Sequence, residues 1–423
     1  MTDPHIVHLH NRIGFGLSPA ELRAARGRDR AELIDTLLRI PEVPGPANPP
    51  IQQPKNPKTN PDEAREADRR ALDTLRADWM RRMADPAHPD GLERMCLFWH
   101  GHFACRAVKS ELAARYLDVL RRHALGNFRE LLQAVARDAA MMRYLNAVNI
   151  RRAAPNENFA REVLELFTVG VDAYTEADVR DLARALAGWA LDEQERFRLN
   201  ERQVDPGVKS VLGVTGPLTG AEALDVLVDD PATAAYLTRE LWRYLTDREP
   251  DASTLRRHAA TLRDGDYAIR PWVAGILADD AFYADELIGS RVKGPVELLA
   301  MWARQLGTAL PRRDDGFVAF ASANDQRLFG PPNVAGWPGG RAWLSTATLP
   351  ARMAMASISA TPAALPAKPA RGADRSFAGV AGFAAPAVAA LAGDPDLSLV
   401  LLGRPDLPGD AVALASHTRY QYA

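Results

Sequence analysis

Signals for helix N-termini recur along most of this chain, and they constrain its fold more than any other feature. Most combine a capping side chain with an acidic residue three positions later, which satisfies free backbone N–H groups at a helix start. Between these starts apolar residues recur at spacings of three and four, as in Leu112, Tyr116, Val119 and Leu120. The starts lie at Ser18…Glu21, Asp29…Glu32, Asn127…Glu130, Thr175…Asp178, Thr219…Glu222 and Asp230-Pro231. The sequence therefore predicts an all-α protein with about fifteen helices.

Three segments depart from this helical pattern. Residues 41–61 contain eight prolines and no aromatic residue, which predicts a proline-rich loop extended over the surface. Residues 195–214 lack helical periodicity and hold two short stretches, Arg196–Leu199 and Val208–Val214, on either side of Asp205-Pro206-Gly207, and we expect them to form a small β-hairpin. Residues 356–392 contain fifteen alanines and four prolines, a composition typical of a low-complexity segment.

No change in composition divides the remaining chain into separate folds. The 423 residues are long enough for roughly two or three domains of ordinary size. The helical signals nevertheless continue without a linker between them. We therefore predict one large helical domain over residues 5–355, the low-complexity segment over 356–392, and a C-terminal segment over 393–423 that packs back on the domain.

Charge and cysteine content exclude several classes of protein. The 52 basic and 54 acidic residues nearly cancel, and the basic clusters are short and lack aromatic neighbours, so we expect no nucleic-acid partner. Two cysteines are too few for a disulfide scaffold. The N-terminal residues lack the apolar run of a signal peptide, and no apolar stretch is long enough to cross a bilayer. We therefore expect a cytoplasmic protein without membrane insertion.

The segment from Asn156 to Thr168 is the first candidate for chemistry. Asn158, Arg161, Glu162 and Glu165 follow a helical spacing and would form one polar row. Two carboxylates beside an arginine can share a proton, bind a cation or orient a substrate. The alternative, which spacing alone favours, is a solvated helix face with an Arg161–Glu165 ion pair.

Two histidines near the end of an earlier helix form a second candidate. His100 and His102 are two positions apart, so they diverge by about 200° around a helix and are unsuited to sharing one metal ion. We favour structural roles for both and predict no metal site. One of them facing Glu162 and Glu165 would be a plausible proton-transfer arrangement, since histidine titrates near neutral pH.

A glycine- and proline-rich loop and a Lys–Glu spacing complete the candidates. Pro332–Gly340 surrounds Trp337, which either contributes to binding or fills a gap between helices. Lys293 and Glu297 are four positions apart at a helix start, and we expect an exposed ion pair. Recognised nucleophile, phosphate-binding and metalloprotease motifs are absent from the sequence.

Several ordered motifs carry a resemblance to a known family. They are Asn11–Gly16, Leu97–Phe103, Asn156–Glu162, Glu165–Gly170, Tyr174–Val179, Gly188-Trp189, Asp205–Gly207 with Lys209, Lys293–Leu298 and Pro332–Gly340. In this order they resemble the bacterial "domain of unknown function 1800" family, from about residue 8 to residue 355.

The resemblance implies little about activity, because the family has no established one. Its members are often exported and often encoded beside a sulfatase-like family, which implies a sulfatase-like partner. Val204 stands where similar sequences commonly carry a histidine, which weakens a metal or acid–base role for the hairpin. The cofactor and the oligomeric state stay open. Candidate binding residues within the matching motifs are Asn156, Glu157, Asn158, Trp189, Lys293, Asn333 and Trp337.

Two functional hypotheses follow. In the first, which we favour slightly, the chain is a binding or accessory protein that acts with a sulfatase-like partner. In the second it is a hydrolase-type acid–base enzyme, in which Glu162 and Glu165 are paired carboxylates, Arg161 orients an anionic group, and His100 or His102 transfers protons. A concave pocket that holds this row together with a histidine would favour the enzyme.

Overall fold

The computed structural model describes residues 1–40, 60–88, 90–107, 109–310, 316–360, 385–391, 393–402, 414 and 418–422. Nearly all of the predicted proline-rich loop, residues 41–61, lies outside the described residues, as does most of the predicted low-complexity segment, residues 356–392.

Helices make up most of the described structure, which confirms the predicted all-α class. They are α1 (Asp3–Ile13), α2 (Pro19–Ala25), α3 (Arg30–Leu37), α4 (Pro61–Ala84), α5 (Asp90–His102), α6 (Ser110–His123), α7 (Phe128–Ala136), α8 (Ala139–Tyr144), α9 (Glu157–Glu162), α10 (Glu176–Ala185), α11 (Gly220–Asp229), α12 (Pro231–Thr246), α13 (Ala252–Asp264), α14 (Ile269–Ala278), α15 (Pro295–Gln305), α16 (Phe317–Ala323), α17 (Leu349–Ala360), α18 (Ala385–Ala390) and α19 (Leu397–Leu402).

The predicted helix starts are confirmed at their capping residues. Ser18, Thr175 and Thr219 each accept the N–H three residues on, while the acidic side chain at that position accepts the capping residue's own N–H. Asp29 and Asn127 cap α3 and α7 by accepting the N–H two residues on. The boundaries of these helices are therefore set by local sequence.

Two small antiparallel sheets interrupt the helices between α10 and α11. β1 (Trp189–Leu191) pairs with β2 (Phe197–Leu199), and β3 (Lys209–Val211) pairs with β4 (Val214–Gly216). The insertion is confirmed, but the predicted pairing of residues 196–199 with 208–214 is wrong. Each stretch instead forms its own hairpin with the strand nearest to it in the sequence. Closing a short loop costs less conformational entropy than closing a long one. Leu212 and Gly213 both have positive φ, as a two-residue hairpin turn requires.

Two helices, α5 and α15, lie at the centre of the molecule. Every residue of α15 is buried, and so is every residue of α5 from Asp90 to His100. Helices of this kind have no solvent-facing side, so their polar residues must find partners inside the protein. The C-terminal end of α5 and the N-terminal end of α15 open into the cleft described below.

The described C-terminal residues lie against this helical body. Arg23 of α2 and Arg26, which directly follows α2, form ion pairs with Asp396, at 3.0 and 2.6 Å. Tyr420 is fully buried and its hydroxyl donates to Oε1 of Gln305 at 3.0 Å. These contacts hold the described C-terminal residues against α2 and the last residue of α15.

Candidate functional site

A cleft of about 830 Å³ opens where the end of α5 meets α12 and the residues just before α15. Its volume falls within the range of small-molecule sites, roughly 300–1,000 Å³. Aromatic and charged side chains dominate the walls. The rings are those of Phe98, His102, Tyr236, Tyr244, Trp337, Trp343 and Tyr422, and the charged residues are Glu240, Arg243, Asp247, Arg248, Glu249, Arg291, Glu297 and Arg341.

Glu297 in the first turn of α15 forms the charged floor of the cleft. Arg291 donates two hydrogen bonds to its carboxylate, at 2.6 and 2.8 Å, and Nη1 of Arg94 lies 2.9 Å from Oε1. Burial raises the pKa of Glu297, but the charges of Arg291 and Arg94 outweigh this and hold the pKa at about 2. The floor therefore carries an ionised carboxylate that is already matched by two cations.

The predicted exposed Lys293–Glu297 ion pair is wrong. Both side chains are buried, and the Lys293 ammonium donates to the carbonyl of Tyr420 at 2.7 Å and lies 3.6 Å from the centre of its ring. Burial lowers the pKa of Lys293 well below its ordinary value. The pair does not form because the carboxylate faces the two arginines. Lys293 is not one of the residues that line the cleft.

His102 forms part of the cleft wall, with its ring packed among those of Phe98, Phe167 and Tyr236. Its Nε2 lies 3.2 Å from the carbonyl oxygen of Phe167, and a carbonyl can only accept, so Nε2 carries the proton. Burial lowers the pKa of His102 to about 4, although the bond to Phe167 opposes this shift. At neutral pH the ring is therefore uncharged.

His100 points away from His102 and into the core. It is fully buried, and its Nε2 accepts the N–H of Phe329 at 2.9 Å. Burial and the charge of Arg76 lower the pKa of His100 to about 3. Within the described ranges, no group of three or more His, Cys, Asp or Glu side chains is arranged to hold a metal ion.

The loop around Trp337 closes one side of the cleft. Gly336 has a φ of +80°, and a Cβ atom there would lie 2.5 Å from the carbonyl oxygen of Gly101, so only glycine lets the loop approach α5. Trp337 packs its ring 5.3 Å from that of His100, and its indole Nε1 is buried without an acceptor among the described residues. Asn333 is exposed, accepts the N–H of Ala335 at 3.0 Å, and shapes the loop outside the cleft.

The predicted polar row does not run along one regular helix. α9 ends at Glu162 and continues as a π-helical turn over Val163–Phe167, whose wider winding changes the direction of the side chains that follow. Arg161 pairs with Glu176, at 2.6 and 2.8 Å, in place of the expected Glu165. Glu165 instead accepts the hydroxyl of Tyr174 at 2.6 Å.

Glu162 belongs to the same predicted row but has a different environment. Burial and the charge of Glu165 raise its pKa. Of the residues in the π-helical turn, Leu166 reaches the cleft, whereas Arg161, Glu162 and Glu165 do not line it. The structure therefore brings His102 and Trp337 together in the cleft and leaves the three charged residues of the row outside its lining.

The three residues at the start of α9 lie apart from the cleft as well. Asn156 caps the helix by accepting the N–H of Phe159, and its amide donates to the carbonyls of Leu145 and Asn146 at 2.9 and 3.0 Å. Glu157 and Asn158 are exposed in the first turn.

Trp189 is a core residue of β1. Its ring packs against that of Phe197 at 5.1 Å, and the guanidinium of Arg137 lies 5.3 Å from its centre. A Cβ atom on Gly220 would lie 2.6 Å from Nε1 of Trp189, which shows how closely the backbone approaches the indole. Trp189 does not line the cleft.

All four carboxylates that line the cleft have partners. Glu240 and Glu249 are both bound by Arg243, and Asp247 accepts the N–H of Val292 at 2.7 Å. The fourth is Glu297, which is bound by Arg291 and Arg94. By contrast, Arg248 and Arg341 have no carboxylate within ion-pair distance in the part of the chain that is described.

Sequence reasoning missed most of the charged cleft residues. Arg291 could have been found, because it lies two positions before Lys293 and a buried Glu297 requires a cation nearby. Arg248 and Arg341 gave no signal, since each is an isolated arginine and the two lie far apart in the sequence.

The fold and the cleft together define an all-α protein with an aromatic and charged cleft between its central helices. The chain belongs to the family described as "protein of unknown function (DUF1800)", whose family model matches residues 8–404 and confirms the resemblance. Comparison with curated proteins returned no match, and neither did comparison with solved structures. Among the described helices, none combines the length and apolar character needed to span a bilayer.

Proposed function

We propose that the chain is a binding or accessory protein whose cleft holds a small anionic ligand. The observation that carries this proposal is Trp337, a residue of the cleft lining whose indole N–H is buried without an acceptor among the described residues. An indole nitrogen can only donate, and buried donors are nearly always paired. A ligand in the cleft would therefore supply an acceptor atom to Trp337.

The charges of the cleft favour a ligand with negative charge. All four lining carboxylates are already bound, whereas Arg248 and Arg341 have no carboxylate partner in the described chain. A guanidinium presents several N–H donors in a planar fork that suits carboxylate, sulfate and phosphate groups. The surrounding rings would pack on the apolar part of such a ligand.

The cleft is less suited to acid–base catalysis than to binding. With a pKa of about 4, His102 is uncharged at neutral pH and a weak base, and its Nε2 proton is engaged by Phe167. Glu297 is held ionised by Arg291 and Arg94. These environments support ligand positioning more than proton transfer.

Ligand binding tests the proposal directly. A panel of small carboxylates, sulfate esters and phosphate esters with aromatic or aliphatic groups would be added to the full chain, and dissociation constants measured by calorimetry. We expect at least one compound to bind, and Trp337→Phe, which keeps an aromatic side chain but removes the N–H, to weaken its binding about tenfold.

Trp189→Phe is the matched control, because Trp189 is also buried but lies outside the cleft. It should leave the affinity unchanged. Absence of binding across the panel, or equal loss in both variants, would contradict the proposal.

The enzyme hypothesis rests on a different observation, the raised pKa of Glu162 beside Glu165. It predicts hydrolysis of one of the esters by the wild type and loss of turnover in Glu162→Gln. That result would overturn the binding proposal. The sulfatase-like partner implied by the family resemblance is a further part of the accessory hypothesis, and copurification of the two proteins would test it.

A further inference from the structure

A second pocket, of about 470 Å³, shares no lining residue with the cleft. One wall is a face of α4, and the opposite wall comes from the residues after α5 and the loop after α16. Among the ten lining residues that belong to the described part of the chain, five are arginines and one is acidic. They are Arg65, Asp68, Arg69, Leu72, Arg76, Arg106, Ala107, Arg327, Phe329 and Gly330.

The arginines of α4 reach the pocket because of their spacing. Arg65, Arg69 and Arg76 lie at positions i, i+4 and i+11, which fall on one side of an α-helix. The single acid, Asp68, is already engaged, since it accepts both the N–H and the hydroxyl of Ser110 at the start of α6. It caps that helix and does not neutralise the arginines.

Within the described ranges, the arginines of the opposite wall have no carboxylate partner. Arg106 donates to the carbonyls of Pro331 and Pro332, at 3.1 and 3.4 Å, and Arg327 has no ion pair among the described residues. The three α4 arginines pair with acids of their own helix at i−3, namely Asp62, Glu66 and Asp73, and none of these acids lines the pocket. The pocket therefore has guanidiniums on two sides and an excess of positive charge.

Arg76 shows that the site is built into the fold. Its side chain is 2% exposed, and Nε donates to the carbonyl of Leu328 at 2.8 Å, which ties α4 to the opposite loop. Burial and the charge of Arg327 lower the pKa of Arg76. The positive charge of its guanidinium is therefore not fully balanced by the surrounding protein groups. The loop itself is fixed where Phe329, at a φ of +56°, donates its N–H to His100.

We propose that this pocket is a binding site for a small oxyanion of the phosphate or sulfate type. Two independent guanidiniums, Arg106 and Arg327, face the arginines of α4 across a space large enough for one or two such groups. Their planar donor forks match tetrahedral oxyanions. The bound anion would balance the positive charge of the arginines that Asp68 does not neutralise.

Calorimetry on the full chain tests this site with inorganic phosphate, pyrophosphate and sulfate as probes, at constant ionic strength set with chloride. We expect at least one probe to bind, and Arg106→Gln and Arg327→Gln each to lower its affinity about tenfold or more. Both residues are exposed, so neither substitution should prevent folding. Circular dichroism would verify that the variants keep the wild-type helix content.

An arginine outside both pockets provides the matched control. Arg256→Gln alters an exposed arginine of α13 and should leave the affinity unchanged. Loss of binding in Arg341→Gln, with the wild-type affinity kept in Arg106→Gln and Arg327→Gln, would place the anion in the cleft and overturn the proposal. Failure of every probe to bind would also overturn it. So would binding to vesicles with anionic phospholipid in the absence of binding to any free anion.

Discussion

Burial decides the chemistry of the two neighbouring histidines. His100 and His102 both have lowered pKa values, about 3 and about 4, chiefly because burial disfavours the charged ring. Both are uncharged at neutral pH, yet one is an acceptor for a backbone N–H and the other a donor to a backbone carbonyl. Sequence spacing indicated that they diverge, but the protonation state depends on what surrounds each ring.

The lowered pKa of His100 predicts a pH-dependent contribution to stability. Between pH 6.5 and about 3 the unfolded chain binds a proton at this residue that the folded chain does not, so acidification favours unfolding. We expect His100→Gln to destabilise most at pH 7 and above. The difference from the wild type should shrink by about 1.4 kcal/mol for each pH unit below 6.5.

Guanidinium chloride unfolding of both proteins at pH 7.5 and pH 5.5 measures this effect. A constant difference between the wild type and His100→Gln would contradict the expected shift.

At the scale of the element, a local change in helical winding separates residues that their sequence spacing predicts to share one face. The prediction of one polar row from Asn158 to Glu165 requires a regular α-helix, with about 100° of rotation per residue throughout. The π-helical turn over Val163–Phe167 breaks this regularity, so Glu165 faces Tyr174 and Leu166 faces the cleft. Such turns occur often at functional sites, but sequence spacing does not reveal them.

The C-terminal residues act as an element that completes the start of α15. Tyr420 covers the Lys293 ammonium with its ring and accepts from it with its carbonyl, and its hydroxyl binds Gln305. The ring also packs against that of Trp302 at 5.8 Å. A buried cation is therefore satisfied by residues more than a hundred positions away in the chain.

Substitutions of Tyr420 should separate these contributions. Tyr420→Phe removes the hydroxyl and leaves the Gln305 oxygen unpaired, which we expect to lower the free energy of unfolding by about 1–3 kcal/mol. Tyr420→Ala also removes the ring from Lys293 and leaves a cavity, and should cost about 3–5 kcal/mol. Urea denaturation measures both values.

Tyr174→Phe is the control, since that hydroxyl binds Glu165 on a partly exposed surface. It should cost less than about 1 kcal/mol. Equal effects of Tyr420→Phe and Tyr420→Ala would show that the ring does not stabilise the buried ammonium.

At the scale of the whole molecule, one apolar cluster extends from Ile6 near the N-terminus to Tyr420 near the C-terminus. It includes the buried tryptophans Trp79, Trp99, Trp272 and Trp302, which lie on four different helices. A continuous core favours cooperative unfolding, because no part can expose its apolar surface without disturbing its neighbours.

We therefore predict that the helical body over residues 5–355 unfolds as one unit. Tryptophan fluorescence and far-ultraviolet circular dichroism should report the same denaturant midpoint, because the tryptophans are spread through the core. Two separated midpoints would indicate two independent folding units and contradict the single-domain interpretation.

The sequence by itself determined the helical class, the family and the helix starts, because capping and periodicity are local interactions between residues a few positions apart. It could not determine which stretches pair in the β insertion, how the π-helical turn redirects Glu165, or that Lys293 and Glu297 are buried with other partners. The cleft and the arginine pocket could not be predicted from the sequence either, since each is assembled from residues far apart in the chain. Only tertiary packing brings such residues together, and burial then sets their charge and hydrogen bonding.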